Sequence, residues 1–230
     1  MQTCYCNGSG SRVGFRRNSM ISNETRLPTE TLGEFRHGIS PDAVSTILRQ
    51  SPKINPKNIS MASDSTQAHR RKAARPITVS ILTVSDTRTL ENDLGGQLIE
   101  ELIKAAGNFV FKRAIVVDET LQIRETARQM IEADGCEALL VTGGTGLAAR
   151  DCTPEAIEPL FDALIPGYGE LFRMLSFADI GSASMLSRAS GGRVGKKIIL
   201  TMPGSPAGVR LAMEKLIVPE IAHLVHHAGK

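Results

Sequence analysis

The stretch "EALLVTGGTGLAARDCTPEA" (residues 137–156) passes from an apolar run to a polar, helix-starting one across three glycines set within four positions. The run "EALLVT" has no polar interruption, which predicts a strand buried on both faces. "TPEAIEPLFDALI" (residues 153–165) predicts a helix. Thr153 serves as its N-cap, Pro154 as its first helical residue, and Glu155 lies at the positive end of the helix dipole. A strand, a glycine loop and a helix in that order form the repeating unit of a parallel sheet with crossover helices.

The same alternation extends in both directions. "ITVSILTVSD" (77–86) and "FVFKRAIVVDE" (109–119) predict strands that end in acids. "GGQLIEELIKAAG" (95–107) and "LQIRETARQMIEADG" (121–135) predict amphipathic helices stopped by glycine. Residues 167–189 read as helical with a break near Gly181, "KKIILTMPGS" (196–205) as a strand, and residues 206–227 as a final helix kinked or divided at Pro219. The expected fold is α/β, a three-layer αβα sandwich with a mostly parallel central sheet over residues 76–230.

Residues 1–75 carry far less information. They are rich in Ser, Asn, Gly and Arg, show no sustained period, and are expected to form a disordered extension, with residues 41–50 the one candidate helix. An acid-free start before Glu24 faintly resembles a transit peptide, whereas "MASDSTQAHRRKAARP" from Met61 reads as a natural start. Of the 27 Lys and Arg, 8 fall before Met61 against 4 acids, so the +3 net charge belongs to this segment and the remainder is close to neutral. A neutral main domain with no Trp and two Tyr lacks the basic, aromatic surface of a nucleic-acid binder. No apolar stretch reaches the ~20 residues of a membrane helix. Four cysteines without CxxC spacing favour a reducing, cytosolic setting over a disulfide scaffold.

Ligands of open α/β sheets bind beyond the carboxyl ends of the strands. Here those ends hold Ser85-Asp86, Asp118-Glu119, the loop Gly143, Gly144, Thr145 and Gly146, and Pro203-Gly204-Ser205. The glycine loop reads either as a plain tight turn or as an anion cradle of exposed amides, with Arg150 adding a forked donor to a phosphate. Asp151 is either a helix-entry residue or a ligand for Mg²⁺, which is held by one or two carboxylates together with phosphate oxygens. Asp118 is the natural second acid for that ion, or else a polar strand terminus. Ser205 caps the last helix with Pro206 following, a second candidate anion site. Ser176, Ser187 and Arg188 reach the ligand or are solvated helix positions. The His223, His226, His227 trio has metal-compatible spacing but reads as a solvated tail, and Cys136 and Cys152 are assigned no catalysis.

"ILTVSDTR", "VVDE", "VTGGTGLAARDCTPEA", "FRMLSFADIGSASMLSRA" and "MPGSP", taken in order, resemble the MoaB/Mog family of molybdenum cofactor biosynthesis proteins, the stretch Phe172–Ala189 looking closer to the MoaB branch than to the Mog branch. The resemblance spans residues 77–225. It implies a three-layer α/β domain, assembled as a homotrimer or homohexamer, that binds molybdopterin and works with other proteins of that pathway. It also implies an adenylyltransferase: the pterin's terminal phosphate attacks the α-phosphate of Mg·ATP and releases pyrophosphate. The family's two important aspartates match Asp118 and Asp151, which would be the catalytic acids and hold Mg²⁺. Its phosphate loop matches residues 143–146, and its last glycine loop matches residues 203–205. A non-catalytic molybdopterin carrier and a scaffold protein are the alternatives the resemblance leaves open. The apolar residues of the 167–189 segment, among them Leu171, Phe172, Met174, Leu175, Phe177 and Met185, read as a subunit interface or as a fully buried helix.

Overall fold

The computed structural model of the chain describes residues 75–230. The readings placed on residues 1–74 lie outside the described residues. Strand β1 (Thr78–Val84) leads to helix α1 (Leu94–Ala105), β2 (Phe109–Val116), α2 (Thr120–Glu132) and β3 (Ala138–Thr142). After the glycine loop come the short helix α3 (Thr153–Ile157), a 3₁₀ turn (Glu158–Leu160) and β4 (Ala163–Leu164). Helix α4 (Pro166–Ile180) runs into a second 3₁₀ segment (Gly181–Leu186), followed by β5 (Gly191–Val194) and β6 (Lys197–Met202). Helix α5 (Pro206–Ala212), a π turn (Met213–Ile217) and α6 (Val218–Ala228) close the chain.

The sheet runs β2-β1-β3-β6-β5-β4. The first four strands are parallel, and β5 lies antiparallel to both β6 and β4. The mostly parallel sheet expected from the alternation is therefore present, with an antiparallel edge that the strand readings missed. β4 has two residues and β5 is a glycine-led "GGRV", so neither carries the β-branched run that announces a strand. Residues 167–189 do form a helix that changes character at Gly181, as the sequence suggests. The final helix is divided too, but by a π turn just ahead of Pro219. Proline cannot donate to the carbonyl four residues back and its ring crowds that carbonyl, so a widened turn is one way to carry the helix past it.

Burial explains why the strand runs read as continuous apolar stretches. Side chains alternate across a strand, and here both alternating sets are covered. Leu140 of β3 and Ile198 and Leu200 of β6 join Val79, Ile81, Ile99, Met213 and Ile217 in one core. Leu139, Val141 and Ile199 face the other way, against Leu82, Ile123, Met130, Ile131 and Ile157. Two cores on one sheet make the three layers.

The chain first moves from β1 outward to β2, then returns to place β3 on the opposite side of β1. Connections therefore diverge at the carboxyl ends of β1 and β3, which opens a crevice there.

Truncating Leu140, fully buried in the central strand, is expected to destabilise the protein by about 2–5 kcal/mol. Leu121→Ala, at a side chain 68% exposed, should leave the urea midpoint nearly unchanged. Equal midpoints for the two variants would contradict the two-core arrangement.

Candidate functional site

The glycine loop is fixed by what its carbonyls do. Gly143 has φ +99° and Gly144 φ +61°, conformations that glycine adopts without strain. A Cβ on Gly143 would stand 2.3 Å from the Val84 carbonyl oxygen, so backbone meets backbone here. The Gly143 amide donates to Met202 O at 3.1 Å, which holds the loop to β6. Thr153 Oγ1 donates to Gly143 O at 2.8 Å and its amide to Gly144 O at 3.0 Å. The Arg188 amide donates to Thr145 O at 3.1 Å, and Arg188 Nε to Gly146 O at 2.9 Å. Four consecutive carbonyls are thus taken from below. In a planar trans peptide each carbonyl points opposite to the next residue's N–H. The amides of Gly144, Thr145 and Gly146 are therefore turned the other way, and among the described residues they donate to nothing.

Thr153 corrects one expectation. Helix α3 begins on Thr153 itself, with Cys152 at the cap position and no side-chain cap. The buried hydroxyl reaches back to a loop carbonyl instead of accepting from the helix amides. It satisfies a carbonyl that would otherwise be buried without a partner.

Both expected acids lie against this turn. A Cβ on Gly144 would meet the Asp118 carboxylate oxygens at 3.0 and 3.1 Å, and one on Gly146 would meet Asp151 Oδ2 at 2.6 Å. The Cys152 amide and thiol both donate to Asp118 Oδ1 at 3.3 Å. Burial pushes the Cys152 thiol up, and the Asp118 contact adds to the shift, so the sulfur stays protonated as a donor. Asp151 Oδ2 accepts the Ala148 amide at 3.1 Å. Asp118 Oδ2 and Asp151 Oδ1 accept no hydrogen bond among the described residues. Two carboxylates, each offering one oxygen, fit Mg²⁺, which keeps its remaining positions for water and phosphate. Among the described residues no group of three His, Cys, Asp or Glu is arranged to hold a metal unaided. His223 instead contacts Glu220 at 3.1 Å.

Around the turn lies a cleft of about 510 Å³. It gathers Ser85, Asp86, Asp118, residues 143–146, Arg150, Asp151, Ser187, Pro203 and Gly204 from the ends of four strands. The Asp118 amide donates to Asp86 Oδ1 at 2.9 Å, and the exposed Arg150 guanidinium pairs with Asp86 Oδ2. Arg150 therefore stands at the mouth with an acid as its present partner.

Three residues singled out from the sequence, Arg188, Ser205 and Ser176, lie off the cleft wall. Arg188 works from behind the loop: its Nη2 donates to Asp151 O at 2.6 Å, and Nη1 pairs with Glu155. Burial acts against ionisation of Glu155, but its own amide and the Arg188 guanidinium outweigh it and hold the carboxyl below its usual range. Ser205 accepts the Gly208 amide at 3.2 Å and caps α5, as expected. Ser176 is buried on α4 and borders a separate small cavity.

Sequence reading missed Thr83, Arg88 and Asp93, which also border the cleft. Asp93 is 1% exposed. It caps α1 by accepting the Gly96 amide at 2.9 Å, and it also receives Thr83 Oγ1 at 2.7 Å and Arg113 Nη2 at 3.3 Å. An Asp standing directly before a helical pattern is a recognised start signal that could have found it.

A family described as "Probable molybdopterin binding domain" matches residues 80–223. Molybdenum cofactor biosynthesis protein B of Bacillus cereus is 46% identical over 157 residues, covering 68% of this chain and 93% of that protein. A crystal structure of a molybdenum cofactor biosynthesis protein B superposes with a TM-score of 0.66 at 46% identity, covering 67% of this chain and 96% of the other. The tungsten cofactor synthesizing protein MoaB of Pyrococcus furiosus superposes with a TM-score of 0.61 at 30% identity, covering 68% and 99%.

Arg188→Ala removes a charged donor from the loop, an interaction worth about 1.5–3 kcal/mol. Exchange of the hydrogen-bonded loop amides of Gly143, Ala148 and Asp151 should quicken roughly tenfold or more, since ~1.4 kcal/mol is a factor of ten, while β1 and β3 stay protected. Unchanged loop exchange would mean that Arg188 does not hold the turn.

Proposed function

The chain belongs to the MoaB/Mog family, the molybdopterin-binding domain family of molybdenum cofactor biosynthesis proteins, and from that premise we propose that it adenylylates molybdopterin with ATP. Pathway membership is carried by the family. The reaction is carried by one observation: three unpartnered amides and two carboxylates with spare oxygens meet at the crevice between β1 and β3.

In this reading an oxygen of the pterin's terminal phosphate attacks the α-phosphorus of ATP. The bond from that phosphorus to the bridging oxygen breaks, and pyrophosphate leaves with the electron pair. Such a transfer needs alignment and charge neutralisation more than covalent help from the protein. The amides of Gly144, Thr145 and Gly146 bind phosphate oxygens without having to reorganise, because their carbonyls are already tied down. Asp118 and Asp151 would hold Mg²⁺, which supplies positive charge to the polyphosphate when bound. Cys152 keeps Asp118 turned toward the loop. Arg150 exchanges Asp86 for a phosphate oxygen, and Ser85, Ser187, Pro203 and Gly204 shape the remaining wall.

The same reading includes a homo-oligomer, trimeric or hexameric. Leu171 (46%), Met174 (62%), Phe177 (61%), Ile180 (59%), Met185 (71%) and Leu186 (51%) are all exposed on α4 and the 3₁₀ segment after it. A fully buried helix is therefore not what these residues make, and a contiguous apolar face of this kind marks an association surface. Among the described residues no helix is long and apolar enough to cross a membrane.

Asp151→Asn should lower adenylate formation from ATP, Mg²⁺ and molybdopterin by on the order of 10²–10³-fold with an unchanged circular dichroism spectrum. Turnover within threefold of wild type would reject the catalytic assignment, and a wild type that binds the pterin yet forms no adenylate would make the protein a carrier. Light scattering should give a mass of three or six chains, and Phe177→Glu should give one. A monomeric wild type at micromolar concentration would rule the interface out.

A further inference from the structure

The three histidines near the end of the chain take no part in the cleft over the glycine loop. Helix α6 turns Ile221, Val225 and Ala228 into the core, and His223, His226 and His227 occupy the less buried part of its surface. Residues four apart on a helix are neighbours on one face, whereas adjacent ones point apart. His223 and His227 meet accordingly: their ring centres are 4.6 Å apart and the ring planes cross at 78°. The centres of His226 and His227 are 5.9 Å apart.

Both nitrogens of the His223 ring are in unusual positions. Nδ1 lies 3.1 Å from Glu220 Oε2. A carboxylate oxygen only accepts, so Nδ1 carries the hydrogen and donates it, which leaves the lone pair of the neutral ring on Nε2. That Nε2 is buried and has no hydrogen-bond partner among the described residues. A buried acceptor without a donor costs free energy, and a cation set against it offsets that cost. An imidazole whose far nitrogen donates to a carboxylate is also the arrangement that orients metal-binding histidines and makes them more basic.

We infer that His223 and His227 form a binding site for a divalent transition ion of the Zn²⁺ kind, with water in its remaining positions. With metal–nitrogen bonds of about 2.0–2.1 Å, two imidazoles sharing one ion at roughly 90–110° have ring centres about 4.5–5.2 Å apart. The observed 4.6 Å falls in that range, and the 5.9 Å between His226 and His227 does not. His227 is exposed, so its ring can turn about the Cβ–Cγ bond to present a nitrogen while its centre stays nearly in place. The pair sits in the last two turns of α6 (Val218–Ala228), where the negative end of the helix dipole favours a cation. Two imidazoles with no third protein ligand agree with the absence of any three-residue metal cluster among the described residues. Imidazole suits Zn²⁺ and its neighbours and suits Mg²⁺ poorly, so this site and the carboxylates of the cleft select different ions. The inference stands independently of the adenylylation reading.

Calorimetric titration of the full chain with Zn²⁺ tests the site, run in excess Mg²⁺ so that oxygen-ligand positions are occupied. Wild type should take up one equivalent of Zn²⁺ whose affinity falls roughly tenfold or more in His223→Gln and in His227→Gln and stays within about twofold in His226→Gln. Glutamine at the exposed position 227 disturbs no packing, so that variant reads the site even where His223→Gln fails to fold. Because an ion that binds only the folded chain stabilises it, Zn²⁺ should raise the thermal midpoint of wild type more than that of His227→Gln. Equal losses of affinity in all three variants would mark an adventitious histidine tail and overturn the pair. Zn²⁺ uptake that neither His223→Gln nor His227→Gln weakens would place the ion on other groups, thiols included, and overturn it too. A wild type that takes up no Zn²⁺ ends the proposal outright.

Discussion

Four consecutive backbone carbonyls, from Gly143 to Gly146, are each claimed by a donor that lies behind the loop. Two residues supply all four donors. Thr153 gives its hydroxyl and amide, and Arg188 gives its amide and Nε. Because peptide units are planar, pinning carbonyls on one side forces the following amides to the other. The direction in which Gly144, Thr145 and Gly146 present their N–H groups is therefore not a property of the glycines alone. Glycine permits the left-handed turn and the approach to Val84; a threonine 10 residues away and an arginine 42 residues away in sequence select it. Thr145 is 4% exposed, and an amide at such a residue left without a partner is costly. The fold bears that cost at the point where strand connections diverge, which is where an anion has most to offer.

Placing carboxylates beside such a cradle opposes anion binding, and the surroundings temper the opposition. Asp118 Oδ1 is tied to the Cys152 amide and thiol, and Asp151 Oδ2 to the Ala148 amide. Each acid is oriented by the segment just downstream of the turn it abuts, so acids and amides move as one body. Asp86 draws Arg150 to the cleft mouth and takes the Asp118 amide with its other oxygen, which couples the ends of β1 and β2. The net result is a rim with two inward acids and cations at its edge, a charge order suited to a polyphosphate that arrives with a divalent ion.

The three-layer fold was legible because its strands are buried on both faces. "SILTV" and "ALLVT" carry apolar residues for two cores at once, and that run has few other readings. The antiparallel edge was not legible, since β4 and β5 are too short and too glycine-rich to show a period. At the site, the glycines and the acids were named from strand ends, and the structure brings the glycines, Asp86, Asp118 and Asp151 to one cleft, while Glu119 stands outside it at the start of α2. What no local pattern holds is the long-range lacing. Arg188 reads from the sequence as a residue that reaches the ligand or as a solvated helix position, and only the packing of the 184–191 segment against the loop reveals its bonds to Gly146 and Asp151. Thr153 misled for a related reason. A threonine ahead of Pro-Glu is a good cap on local grounds, but a buried carbonyl ten residues upstream competed for its hydroxyl and won.

Arg188 also decides how two cavities relate to one another. Its side chain lines a charged recess of about 620 Å³ while its backbone amide and Nε hold the loop of the cleft, and its Nη1 pairs with Glu155 of the recess wall. The wall between the two spaces is thus built from the same bonds that orient the loop amides. A sheet edge made of isolated pockets would have no such connection. Here one guanidinium belongs to two cavities, and three hydrogen bonds and an ion pair tie the wall of the recess to the loop that carries the amides.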